Sequence, residues 1–303
     1  MAFLRRGRAG GGSRLPDTDR AALARVLSSP TFELIPLKNV HDQAAALPGG
    51  ATVSVTASPA KGIEATVELA IALEGEGFRA IPHLSARMIR DRPHLADLLA
   101  PLAEAGIDRA FVVGGDADEP GEFLDGLALL RAIAELGGGP REIGVPCYPQ
   151  GHADIADAAL LAALRDKAPF ASYMTTQLCF DPRAIAGFIA ARRAEGISLP
   201  VKLGIPGVAE AQKLMAISAR IGVRDAGRFL MKNTRFVGQL LASGGLYRPT
   251  GLLEKLAPVI ADPAAGVVDL HVYTFNQVPS TEAWRVEFLE LLGAAPAEAG
   301  GPA

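Results

Sequence analysis

Between residues 109 and 120 the chain reads RAFVVGGDADEP, an apolar, β-branched run that ends on two glycines and an acid. Residues 110–113 have the character of a fully buried strand. Gly114 and Gly115 let the backbone turn sharply and come close to a ligand. Asp116 then stands just past a buried strand, where α/β sheets and barrels place their ligands. The plainer alternative is a Gly-Asp turn into a helix, with Asp116 as its cap. The pattern recurs: apolar runs end at or beside Glu33, Thr56, His83, Tyr148, His152, Gln177 and Asn276. Together these residues offer carboxyl, imidazole, phenol, hydroxyl and amide groups, the means by which a small-molecule site moves protons and holds polar ligands.

Several other chemistries have no footing. No GxSxG, HExxH, Walker A or CxxC motif is present. The five histidines lie far apart without the spacing of a ligand set, so no metal is expected. No GxGxxG follows the first strand, so any nucleotide must be held another way.

The elements that must position these groups alternate. Residues 31–37, 51–57, 80–86, 110–113, 142–149, 173–180, 200–207 and 267–276 read as short apolar strands. In the second, Ser54 and Thr56 share a face by the period of two. Helices are expected at 16–30, 41–47, 62–74, 93–105, 123–136, 154–167, 182–195 and 281–292, with two or three more filling 209–261. Gly- and Pro-rich stretches such as 48–50 and 137–140 stop them. Eight strand–helix units in roughly 260 residues predict the α/β class and a single (β/α)8 TIM-type barrel. An open doubly wound sheet is the alternative, and it would need a large extra element. In a barrel, functional groups collect at the C-terminal strand ends, where the polar set stands.

With 303 residues, 49% apolar and 21% charged, the chain has material for one large core. The expected layout is a flexible N-terminal extension at 1–15, a barrel domain at 16–292 and a disordered tail at 293–303. The first residues, MAFLRRGRAGGGSR, are basic and Gly-rich and lack an apolar signal core. A net charge of −3 without long charged blocks argues against nucleic acid and against a membrane surface as partners. No apolar run approaches the eighteen or so residues of a membrane span. Cys147 and Cys179 lie in apolar runs and point to a reduced, cytoplasmic compartment. A homo-oligomer is compatible with the sequence, but no stripe identifies an interface.

Taken in order, the strand ends resemble those of the methylenetetrahydrofolate reductase family, a group of (β/α)8 flavoenzymes. The family's F-E-x-x-P is Phe32-Glu33-Leu34-Ile35-Pro36, its V-T is Val55-Thr56 and its P-H-L is Pro82-His83-Leu84. Its G-D is Gly115-Asp116, and its Y-P-x-x-H is Tyr148-Pro149-Gln150-Gly151-His152. Its T-Q is Thr176-Gln177, its P-G is Pro206-Gly207 and its Y-T-x-N is Tyr273-Thr274-Phe275-Asn276. Each motif is weak alone; all of them in order cover nearly the whole barrel.

The resemblance implies reduction of 5,10-methylenetetrahydrofolate to 5-methyltetrahydrofolate, with hydride passing from NAD(P)H through FAD. It makes Glu33 the general acid that opens the folate's five-membered ring, a role suited to a carboxyl that burial keeps protonated. The alternative for Glu33 is a buried ion pair with Lys202. Asp116 would orient substrate beside the flavin, Gln177 would hold an amide edge of pterin or nicotinamide, and Gln277 would lie at the folate's glutamate tail. Thr56, His83 and Gly115 would contact the flavin, with Tyr148, His152 and Lys167 on its ribityl and phosphate parts. Against these stand capping or turn roles for Thr56 and His152, core packing for Tyr148 and a solvated helix face for Lys167. Arg228-Phe229-Leu230 are placed where a helix could close the site.

The chain also departs from the family. Gly114 stands where an arginine is usual, Ala159 and Ala162 replace polar flavin contacts, and Gln277 replaces a frequent arginine. An arginine fork and two side-chain hydrogen bonds are worth several kcal/mol to a dianionic cofactor. Weak FAD binding and direct hydride transfer from NAD(P)H to folate are therefore alternatives. So are a relative working in the reverse direction in one-carbon catabolism, and a folate-binding barrel without a redox step.

Overall fold

The computed structural model describes residues 15–210, Leu214 and 245–295. The first fourteen residues, the last eight and Arg228-Phe229-Leu230 lie outside the described residues. Eight strands close into an all-parallel barrel: β1 (Thr31–Leu34), β2 (Thr52–Val55), β3 (Arg79–Ser85), β4 (Arg109–Val113), β5 (Glu142–Cys147), β6 (Tyr173–Thr176), β7 (Val201–Pro206) and β10 (Val267–Tyr273). Between β7 and β10, β8 (Ala209–Glu210) and β9 (Leu246–Tyr247) form a separate antiparallel pair. The all-helical reading of 209–261 is corrected at this point: a short ladder pairs Ala209 with Tyr247 and Glu210 with Leu246.

The surrounding helices are α1 (Asp17–Ser28), α2 (Val40–Ala44), α3 (Glu64–Gly75), α4 (Arg92–Glu104), α5 (Gly126–Leu136), α6 (Asp157–Lys167), α7 (Pro182–Ala194), α8 (Thr250–Ala261) and α9 (Val278–Leu292). Their starts are chemically marked. Asp91, Asp125 and Asp181 each accept from backbone N–H groups of the first turn of α4, α5 and α7, and a proline stands at the second position of α4 and the first of α7. Asp125 is therefore the cap of α5, and Asp116, nine residues earlier, is not.

The strands end earlier than their apolar runs. β6 stops at Thr176 although the run continues to Phe180, and β10 stops at Tyr273 because Phe275 and Asn276 both take φ of +52°. A left-handed turn breaks the pleat whatever the side chains prefer. The barrel closes where the first and last strands meet, with Glu33 in register with Tyr273.

Its floor is charged. Lys202 on β7 lies 3.7 Å from Glu142, 3.9 Å from Asp269 and 4.1 Å above the Tyr173 ring. Burial raises the Asp269 carboxyl's pKa, against the opposing pull of Lys202. Lys202 thus spends its charge on the floor, and the ion pair weighed for it with Glu33 does not form.

Candidate active site

Glu33 sits at the top of β1 with its side chain 12% exposed, and its carboxylate oxygen Oε2 lies 3.2 Å from Nε2 of His271. The backbone beneath it is held from β10 as well. The Thr274 hydroxyl donates to the Glu33 carbonyl at 2.5 Å. Asn276 brackets Ile35, its Oδ1 accepting from the Ile35 N–H at 2.9 Å and its Nδ2 donating to the Ile35 carbonyl at 2.8 Å. The Asn of Y-T-x-N is thus committed to the strand seam rather than to a ligand. Packing fixes His271 too: its ring meets Tyr273 edge-on at 4.9 Å and stacks on Phe111 at 6.2 Å.

His83 shares this interior. Its Nε2 is 2.7 Å from the Ser54 hydroxyl, its ring lies 4.9 Å from Phe111, and the residue is buried. Burial pushes the imidazole down to about 4; the Glu33 charge opposes that shift and His271 adds to it. His83 is therefore neutral near pH 7.

Asp116 is exposed beyond β4. Gly115 beside it takes φ of +85°, and a Cβ there would stand 1.9 Å from the Ser85 hydroxyl oxygen. Only glycine fits. Gly114 differs, with nothing within 4 Å of its Cβ position. Thr56 is half-buried just past β2, its carbonyl accepting from Thr66. Gln177 turns its side-chain oxygen onto the next backbone N–H, that of Leu178, at 2.8 Å, which leaves its amide nitrogen to offer a ligand. Gln277 is half-buried at the start of α9, and its carbonyl accepts from the Thr281 hydroxyl.

Tyr148 and His152 meet edge-on at 5.5 Å in the loop after β5. His152 Nδ1 accepts from the Asp154 N–H at 3.1 Å, a turn contact. Burial raises the Tyr148 phenol's pKa. A cavity of about 510 Å³ opens beside Tyr148, lined also by Leu161, Leu164, Phe188 and Arg192. Lys167 reaches back towards α5, its Cε 3.6 Å from where a Cβ on Gly126 would stand. Burial lowers its pKa and nearby Asp125 opposes that. The structure thus brings Glu33 and His83 into one interior, pairs Tyr148 with His152, and leaves Asp116 on the rim.

A protein-family model described as methylenetetrahydrofolate reductase matches residues 37–284. The chain belongs to the methylenetetrahydrofolate reductase family. A solved structure of a candidate phosphonomutase from Burkholderia cenocepacia J2315 is similar over 90% of this chain and 99% of its own, at 14% identity and a TM-score of 0.47.

Methylenetetrahydrofolate reductases generally use FAD, and the donors present here can be tested against it. The Nε2 of His83 is taken by Ser54 and the Nδ1 of His152 by a backbone N–H. Arg192, the guanidinium of the cavity wall, is bound twice by Glu195, at 2.8 and 2.9 Å. Gly114 brings no side chain, and Ala159 and Ala162 are exposed on α6. Among the described residues weighed for the flavin, that leaves Lys167, with Asp125 nearby, as the cation against a pyrophosphate of two charges. The donor set of the described residues does not fit a tightly held FAD.

Sequence reasoning missed His271 and gave Thr274 and Ser54 no role in the site. One signal was available. In VVDLHVY, His271 stands two residues before Tyr273, and a period of two puts both on one face of the last strand. Ser85 and Thr175 were also missed; their hydroxyls are buried without a protein partner.

Proposed function

We propose that this barrel is an NAD(P)H-dependent methylenetetrahydrofolate reductase that converts 5,10-methylenetetrahydrofolate to 5-methyltetrahydrofolate, with Glu33 as the general acid. One observation carries the reading: in a chain of this family, the Glu33 carboxyl is nearly enclosed at the barrel mouth and held by His271. A proton donor in a site that excludes water can protonate the ring nitrogen N10 as its bond to the methylene carbon breaks. Asp116 and Gln177 would orient the pterin from the rim, and Gln277 would face the glutamate tail.

The sequence resemblance routes hydride through FAD, with Thr56, His83, Gly115, Tyr148, His152 and Lys167 around it. The poor donor set favours a second reading of the redox step, in which the nicotinamide passes hydride to the folate directly. The free, buried thiols of Cys147 and Cys179 support a reducing, cytoplasmic setting. Among the described residues no helix is long and apolar enough to cross a membrane.

The test is the purified protein's visible spectrum, before and after FAD and desalting, together with NADH and NADPH oxidation. Nucleotide oxidation that requires methylenetetrahydrofolate supports the proposal. Retained flavin bands that bleach with nucleotide and recover with folate assign the flavin route. Turnover by colourless protein assigns the direct one. No oxidation with either nucleotide overturns both and leaves a binding barrel.

A further inference from the structure

Two histidines face the interior below the barrel mouth, their rings 6.5 Å apart, and only one has a carboxylate within hydrogen-bond reach. We propose that His271 is the positioning residue for proton delivery by Glu33, the two holding between Nε2 and Oε2 the single proton that goes to N10 of the folate. This rests on the reductase reading above.

The surroundings of His271 support the assignment. From β3 it faces His83, which is neutral near pH 7 and does not compete for the proton. From β4 it faces Phe111, and on its own strand Tyr273 and Asp269. Asp269 is occupied by Lys202 and by the Thr31 hydroxyl at 3.1 Å. Tyr173 is separated from His271 by Phe111, on which both rings stack. Glu33 is therefore the acceptor to which the His271 N–H is committed. A carboxylate with an imidazolium and a carboxylic acid with an imidazole carry the same net charge. The buried site can pass between these forms without a change in the charge it must solvate.

The step balances. A proton moves from Nε2 of His271 to the Glu33 carboxyl and on to N10, as the N10–methylene bond breaks and its electron pair takes the proton. The methylene carbon, left as the N5 iminium, accepts the reducing equivalent of NAD(P)H as hydride, and NAD(P)+ is released. The carboxylate and neutral imidazole that remain regain one proton from water once product has left.

The experiment compares pH–rate profiles of the full-length protein with those of His271→Gln. A glutamine keeps an N–H donor near the carboxylate but cannot hold the proton. The expected result is a kcat loss of roughly tenfold or more at alkaline pH, smaller at acidic pH, and an alkaline limb about one pH unit lower, with KM for the folate within about twofold. A structural role would lower activity equally across pH, and that outcome overturns the proposal. Should His271→Gln not fold, histidine-labelled NMR of the native protein and of Glu33→Gln decides the matter. The His271 ring signals must differ between the two proteins, as a direct contact between Nε2 and the residue 33 side chain requires; identical ring signals in both overturn the pairing. This second readout needs no turnover, so absence of reductase activity is distinguishable from absence of the proton pair.

Discussion

Asn276 and Ile35 grip each other twice across the barrel seam, the amide of one matching the backbone N–H and carbonyl of the other. Asn276 does this from a φ of +52°, a conformation that asparagine tolerates better than most residues. Asn276→Ala removes both bonds and keeps a Cβ in the left-handed region, at a cost of about 2–4 kcal/mol. Asn276→Gly loses the bonds but not the backbone fit, and is expected to be about 1 kcal/mol less damaging. Urea unfolding of the two variants, read beside kcat, checks the order; equal losses would mean that backbone conformation plays no part.

Gly115 supplies a steric test. Gly115→Ala places a Cβ against the Ser85 hydroxyl and forces alanine to φ of +85°. A loss of more than about 2 kcal/mol is expected. Adding Ser85→Ala removes the oxygen, while the Ser85 Cβ, 3.3 Å from the new methyl, remains. The double variant should recover part of the loss and not all of it. A thermodynamic cycle over the four proteins measures the coupling, and strict additivity would show that the two sites do not meet.

The enclosed His83 links stability to pH. Its folded pKa, about 4, lies below the ordinary value of 6.5. Between those two values the unfolded chain binds a proton that the folded protein refuses. The stability contributed by neutral His83 is complete above about pH 6.5 and is lost as pH falls towards 4, by something on the order of 3 kcal/mol. His83→Gln should flatten the stability curve in that window relative to the native protein. Urea midpoints at pH 7 and pH 4.5 for both proteins give the comparison, and parallel curves would refute the assignment.

Gly114 is open where Gly115 is closed. With nothing within 4 Å of its Cβ position, Gly114→Arg should fold with stability within about 0.5 kcal/mol of the parent. If a flavin binds beside β4, the added guanidinium should raise the fraction of FAD kept through desalting. Flavin absorbance per protein reads this directly, and no gain would place the flavin phosphates elsewhere or nowhere.

The architecture was legible because its signals are local. Eight apolar runs at regular spacing with glycine and proline between them suffice for a parallel barrel, whereas the helix caps Asp91, Asp125 and Asp181 emerge only in the structure. Strand ends were less legible. The left-handed turn at Phe275-Asn276 and the early stop of β6 are decided by contacts across the barrel, which a period of two does not contain. The site was half visible. Glu33 and His83 stand out by chemical type, but their partners lie on other strands: Ser54 on the strand before that of His83, and His271 at the far end of the barrel from Glu33 in sequence. The ion pair with Lys202, weighed as the alternative for Glu33, does not form, because the type and strand of a residue do not give its height along the axis. Lys202 lies at the floor with Glu142 and Asp269, and Glu33 near the mouth.

The meeting of β1 with β10 also has a meaning in time. Glu33 is among the first parts of the barrel to be synthesised, whereas His271, which meets its carboxylate, Thr274, which binds its carbonyl, and Asn276, which binds the nearby Ile35, belong to the last barrel strand and the turn after it. A nascent or truncated chain that stops short of the last strand carries Glu33 and its β2 neighbour but none of the contacts from across the seam. Under the reading proposed above, turnover reports that translation has reached the far side of the seam, because a half-made barrel lacks the carbonyl and carboxylate contacts that the last strand brings to Glu33.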